Sequence, residues 1–134
     1  QPLWARFVWP SVKELTLQVQ AAGLIPILHF DSDWTRDLAR LLELPARTCI
    51  LSLDSMTDIR KAKEILGDHM CIMGDVPPAL LSSGTPEQVY EHCTKLIHDI
   101  GPTGYILQSG CDIPVDAPLE NVKAMADAAE GAAR

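Results

Sequence analysis

The chain has 134 residues, 47% of them hydrophobic and 5% aromatic, with a formal charge of −7 at pH 7. Such a composition supports one globular core and excludes a disordered polymer. Its eleven Lys and Arg are scattered, which excludes the basic patch that nucleic acids need, and no apolar run approaches the ~18 residues of a membrane span.

The amino terminus QPLWARFVWP lacks the charged, apolar and small-residue sections of a signal peptide, and Cys49, Cys71, Cys93 and Cys111 lie far apart with no CxxC. Both features point to a reducing cytoplasm with no disulfide framework. The chain starts at Gln1, not Met, inside what reads as ordinary protein sequence. The expectation is a single domain over residues 1–134, cut from something longer.

Helix signs come first: Ser11 and Glu14 have capping-box spacing, with Leu15, Val19 and Ala22 at helical intervals and Gly23 as the stop. Leu24 to Phe30 reads as a buried strand, and Trp34 to Leu44 as a helix closed by Pro45. Cys49 to Asp54 is a second strand, Met56 to Leu66 a helix ended by Gly67, and His69 to Asp75 a third strand. The RKAK run within that helix, Arg60 to Lys63, reads as a solvated face. After a long GDVPPALLSSG loop, Thr85, Pro86 and Gln88 form a capping box for a helix reaching Ile100. A fourth strand spans Gly104 to Gln108, and a last helix starts near Pro118.

Near-continuous apolar strands separated by amphipathic helices imply a parallel sheet with right-handed crossovers, either doubly wound or half of a TIM barrel. In both folds chemistry gathers at the carboxyl ends of strands. That rule selects His29, Asp31 and Asp33 after the first strand, Asp54 after the second, Asp75 on the third, and Gln108, Ser109 and Cys111 after the fourth.

Each of these has a plain alternative. His29 can be an ordinary hydrogen-bonded residue; Asp31 or Asp33 can cap the helix near Trp34; Asp54 can cap the helix after strand two; Asp75 can order the VPP turn. Cys111 can be a small packed residue, as Cys49, Cys71 and Cys93 are expected to be. His69, His92 and His98 lie away from the rim and receive no role. Together, though, a nitrogen, a carboxylate and a sulfur at one rim are donors that zinc accepts.

The stretches GDV followed by GTPEQV, GYILQSGCDIP, PLENVKAM and, upstream, ILHFDSDW carry a resemblance over most of the chain. They resemble the uroporphyrinogen decarboxylase superfamily, in particular its cobalamin-dependent methyltransferase branch. The resemblance implies an α/β fold of four consecutive βα units, the C-terminal half of a TIM (β/α)8 barrel. It also implies zinc held by a His-x-Cys pair and a distant cysteine, with methyl transfer between a corrinoid on a partner protein and a thiol. His29 and Cys111 match the outer two of those ligands, while Asp31 stands where the branch has cysteine. With that oxygen donor, an acceptor such as tetrahydrofolate becomes an alternative. Asp33, Asp54 and Gln108 would then position substrate.

The decarboxylase proper has a GHG-like turn where this chain has SGC at Ser109 to Cys111, and its catalytic aspartate and substrate arginines belong to the other half of the barrel. Two alternatives remain beside the methyltransferase: a metal-free tetrapyrrole-binding or decarboxylating protein, and an inactive half-barrel. Half a barrel leaves two strand edges unpaired, so a missing N-terminal half or self-association is expected to cover it.

Overall fold

The structure, a computed structural model, describes residues 3–132. Four strands, β1 (Ile27–Phe30), β2 (Ile50–Leu53), β3 (Cys71–Val76) and β4 (Tyr105–Ser109), pair in sequence order and all in parallel. Parallel neighbours require crossover connections, which here run through a 3-10 helix (Leu38–Glu43), α2 (Ile59–Leu66) and, between β3 and β4, α3 (Pro78–Ser83) and α4 (Pro86–Ile100). Helix α1 (Trp9–Ala21) precedes β1 and α5 (Leu119–Ala132) follows β4. This is the arrangement of four consecutive βα units of a TIM barrel.

Side chains alternate between the two faces of a strand, and the sequence uses the two faces differently. Leu51, Leu53, Ile72 and Val76 are fully buried in a core shared with Ala62 and Leu66 of α2 and Val89 and Cys93 of α4. Each such burial is worth about 1.5–3 kcal/mol. The alternate positions, Ile27, His29, Ser52, Met73 and Gln108, line a cleft on the other face. That face is partly open: Ile27 is 55% exposed and Ile106 41%.

Several helix boundaries differ from those expected. Ser11 does not cap a helix, because the chain is already helical upstream, in a π-helical turn over Trp4–Val8. Pro10 occupies the first turn of α1, where its missing N–H costs nothing, and buried Trp9 anchors that turn by donating from Nε1 to Glu43 at 3.0 Å. After β1 there is no α-helix from Trp34. Turns lead instead to the 3-10 helix: the Trp34 N–H donates to Thr57 Oγ1, and the chain becomes helical only from Leu38 before Pro45 closes it.

Helix α2 begins at Ile59 because Asp58 caps it, accepting from the backbone N–H of Arg60 and Lys61. The expected cap, Asp54, is engaged elsewhere. The strand expected from Leu24 begins only at Ile27, and the loop after β3 contains the short helix α3, started by Pro78. Asn121, 1% exposed, donates to the carbonyls of Leu81 and Gly84 at 2.9 Å each, tying α5 to the end of α3. The capping box of Thr85 and Gln88 is formed as read, and α4 ends at Ile100.

The asymmetry of the sheet is testable. Leu51→Ala is expected to cost about 2–5 kcal/mol, as buried leucines do, and Ile106→Ala roughly 1 kcal/mol or less, as surface changes do. Urea melts of the two variants measure the difference; equal losses would mean that the inner face is covered in solution.

Candidate metal centre

Because the strands are parallel, their carboxyl ends share one rim, and the rim residues come together there. The ligand atoms of His29, Asp31 and Cys111 lie within 4.8 Å of one another, on three exposed side chains. His29 closes the inner face of β1, with Nε2 3.2 Å from Asp31 Oδ1 and Nδ1 3.0 Å from Ser52 Oγ. Ser52 is its register partner on β2 and is 1% exposed. Gln108, Met73 and Asp112 complete a cleft of about 330 Å³ around these groups.

Cys111 reaches the cluster through a tight exit from β4. Gly110 donates its N–H to the Val76 carbonyl at 2.8 Å, and a Cβ on it would stand 2.9 Å from the Asp54 backbone. Only glycine permits the β4 exit to pass so close to the end of β2. Cys111 is exposed, whereas burial pushes the thiols of Cys49 and Cys71 up and that of Cys93 to about 11. Those three are held as neutral thiols. Cys49 and Cys93 belong to the core, while Cys71 is half-buried.

The loop carrying Asp31 is held by its neighbour after β2. Ser32, with φ of 76°, donates its N–H to Asp54 Oδ2 at 2.6 Å, and Asp54 Oδ1 accepts from Met56 at 2.9 Å. The Trp34 N–H donates to Thr57 Oγ1, whose hydroxyl donates on to the Ser32 carbonyl, both at 2.9 Å. Trp34 Nε1 donates to the Asp31 carbonyl. Asp54 and Thr57 therefore fix the backbone on which Asp31 stands. Asp33 accepts from Thr35 within the same loop, and these bonds hold its carboxyl below the ordinary range. Neither Asp33 nor Asp54 is among the residues lining the cleft; Gln108 is.

The remaining histidines are occupied or remote: His69 Nε2 lies 2.8 Å from the Leu44 carbonyl, His98 Nδ1 lies 3.1 Å from Asp99, and burial lowers the pKa of His92. A larger hollow of about 460 Å³, lined by Arg47, Cys49, Asp68 and Cys71 among others, sits at the amino ends of the strands. In barrels that end serves stability. Sequence reasoning missed Ser52 and Thr57. The signal for Ser52 was present, as a lone hydroxyl inside ILSLD on the same alternation as Asp54.

Fold and rim together define a partial βα barrel with a cluster of candidate ligands at the carboxyl ends of its strands. The chain matches the family described as uroporphyrinogen decarboxylase (URO-D) over residues 1–132, and it belongs to that family. Uroporphyrinogen decarboxylase of Chlorobium luteolum is 27% identical over 129 residues, 92% of this chain and 36% of that protein. The Homo sapiens protein of the same name is 28% identical over 132 residues, 94% of this chain and 35% of its own length. The chain thus spans about a third of these relatives. Among solved structures, a methyltransferase from Methanosarcina mazei shares the fold, with a TM-score of 0.82 at 20% identity over 98% of this chain and 37% of that one. Among the described residues no helix is long and apolar enough to cross a membrane.

At the carboxyl end of β3, Asp75 is 7% exposed, and its carboxyl is pushed up to about 6, chiefly by burial and further by Asp54 and Asp58, against its own amide and Arg60. A raised folded-state pKa means that the unfolded chain loses this proton first as pH rises. The group therefore lowers stability progressively between about pH 4 and 6, and fully above that. Asp75→Asn is expected to melt higher than the native chain at pH 7, with the gain vanishing as pH falls to about 4. Paired thermal melts across that range check the sign.

Proposed function

We propose that this chain carries the metal corner of a zinc-dependent methyltransferase in the uroporphyrinogen decarboxylase family, moving a methyl group between a corrinoid and a thiol or related acceptor. The observation that carries the reading is the convergence of His29, Asp31 and Cys111 donors within 4.8 Å. Tetrahedral zinc holds such atoms roughly 3.5 Å apart, so side-chain rotations of about an ångström suffice. One nitrogen, one oxygen and one sulfur are a donor set zinc accepts, and three protein ligands leave the fourth position for substrate. The shared fold of the Methanosarcina mazei methyltransferase is in keeping with this reading.

His29 and Cys111 would hold the ion and Asp31 would complete the set. When bound, zinc supplies Lewis acidity that turns an acceptor thiol into a thiolate at neutral pH. The chain's own residues do the rest. Gln108 on the cleft wall would orient the acceptor, while Asp54 and Asp33 would act on it through the loop they order. Asp31 is a harder donor than a thiolate, which leaves room for a less sulfur-selective acceptor such as a folate. A corrinoid protein would dock at the rim in the cytoplasm. Complete activity would need the inner face covered by an N-terminal half-barrel or by a second copy, and the isolated chain would be inactive.

The names of the curated relatives favour a second reading, a metal-free decarboxylase-like barrel that binds a tetrapyrrole. In it the catalytic groups would come from the other half of the barrel, and the His29–Asp31 contact would need no metal. Elemental analysis separates the two. About one zinc per chain is expected, lost in His29→Ala and in Cys111→Ala, weakened in Asp31→Asn, and tightened in Asp31→Cys, where a thiolate replaces the carboxylate. Zinc-reconstituted protein with no bound metal would overturn the methyltransferase reading.

A further inference from the structure

Both nitrogens of the His29 ring face a polar neighbour, Nδ1 in a hydrogen bond with Ser52 and Nε2 in a charge contact with Asp31. Asp31, a carboxylate that can only accept, stands 3.2 Å from Nε2, while the buried hydroxyl of Ser52 stands 3.0 Å from Nδ1. A neutral imidazole carries one proton, so one nitrogen donates and the other accepts. Beside the carboxylate the proton belongs on Nε2, and Nδ1 must then accept from Ser52. If Nε2 instead gives its lone pair to a metal, the proton belongs on Nδ1, and Ser52 must accept. A hydroxyl can serve in either sense by rotating about its Cβ–Oγ bond. A carbonyl or carboxylate at this place would support one state only.

We propose that Ser52 is a positioning residue for His29 that serves both ring tautomers, donating to Nδ1 while Nε2 faces the Asp31 carboxylate and accepting from Nδ1 when a metal occupies Nε2. Its metal-bound half rests on the zinc reading above; its metal-free half does not. The role depends on the parallel register, which sets Ser52 directly beside His29, and on burial, since Ser52 is 1% exposed. Asp31 and the metal compete for one nitrogen, so binding frees the carboxylate to turn toward the ion. Ser52 keeps the ring in place through that exchange.

The test uses the chain labelled with 15N-histidine at pH 8, with and without zinc chloride, comparing the native protein with Ser52→Ala and Ser52→Thr. Two-bond nitrogen–proton correlations report which ring nitrogen carries the proton, and a chromophoric chelator in competition reports zinc affinity. The native His29 is expected to carry its proton on Nε2 without zinc and on Nδ1 with it. Ser52→Ala is expected to mix the metal-free tautomers and to weaken zinc binding about 10- to 100-fold, and Ser52→Thr to stay close to the native protein in both. A proton on the same nitrogen with and without zinc, or Ser52→Ala binding zinc as tightly as the native chain with an unaltered ring, would overturn the inference. If the native chain took up no zinc, the methyltransferase reading would fall alone. The metal-free comparison would then decide the role of Ser52, a shifted ring state keeping it and an unshifted one removing it.

Discussion

Parallel pairing in sequence order is the constraint on which the site depends. Each strand runs the same way as its neighbour, so β1 to β4 all deliver their last residues to one rim, and Cys111 meets the His29 and Asp31 donors there although it lies 82 residues beyond His29 in sequence. Register adds a second level of control. Because His29 is paired with Ser52, and Asp75 with Gln108, each polar group has a determined neighbour one strand away. A slip of one residue on β1 would turn His29 into the apolar core and Phe30 out of it, at a cost of several kcal/mol.

The rim is held by side chains of the β2 loop that bond to neighbouring backbone, more than by the candidate ligands themselves. Asp54 and Thr57 pin the loop after β1 from the loop after β2, and Gly110 lets the β4 exit lie against Asp54. Two separate segments therefore converge on the end of β2, and the candidate ligand cluster stands on that platform. The ligands remain exposed, with 38% of the His29 side chain and 70% of Asp31 open to solvent, so an incoming donor can reach them. Only the support behind them is buried. An open ligand set on a buried second layer is the usual order of parts in catalytic metal sites.

Much of this was legible in the sequence because its cause is local or periodic. The four apolar runs and the Thr85–Gln88 box identified the strands and α4, and the rule of carboxyl ends placed His29, Asp31 and Cys111 on one rim together with Asp33, Asp54, Asp75, Gln108 and Ser109. What was not legible depended on partners distant in the chain. The pattern over Trp34 to Leu44 is helical in composition, yet the tether of Trp34 to Thr57 holds its first residues in a loop and a 3-10 helix follows only from Leu38. Asp54 has the look of a cap but serves a loop more than twenty residues upstream. The role of Ser52 appears only once register is known. The Ser11–Glu14 spacing fits a helix start, yet a buried Trp9 and an earlier helical turn place it inside the helix.

All three tryptophans of the chain, Trp4, Trp9 and Trp34, lie in one aromatic cluster with Phe30, and ring centroids in it are 4.9 to 6.3 Å apart. The cluster sits where β1 ends, and its Trp34 is bonded through Nε1 to the carbonyl of Asp31. The intrinsic fluorescence of this protein is therefore a local reading and not an average over the fold. Its emission reports the corner beside the candidate ligands, so movement of the Asp31 loop changes the optical signal even where the rest of the sheet is undisturbed.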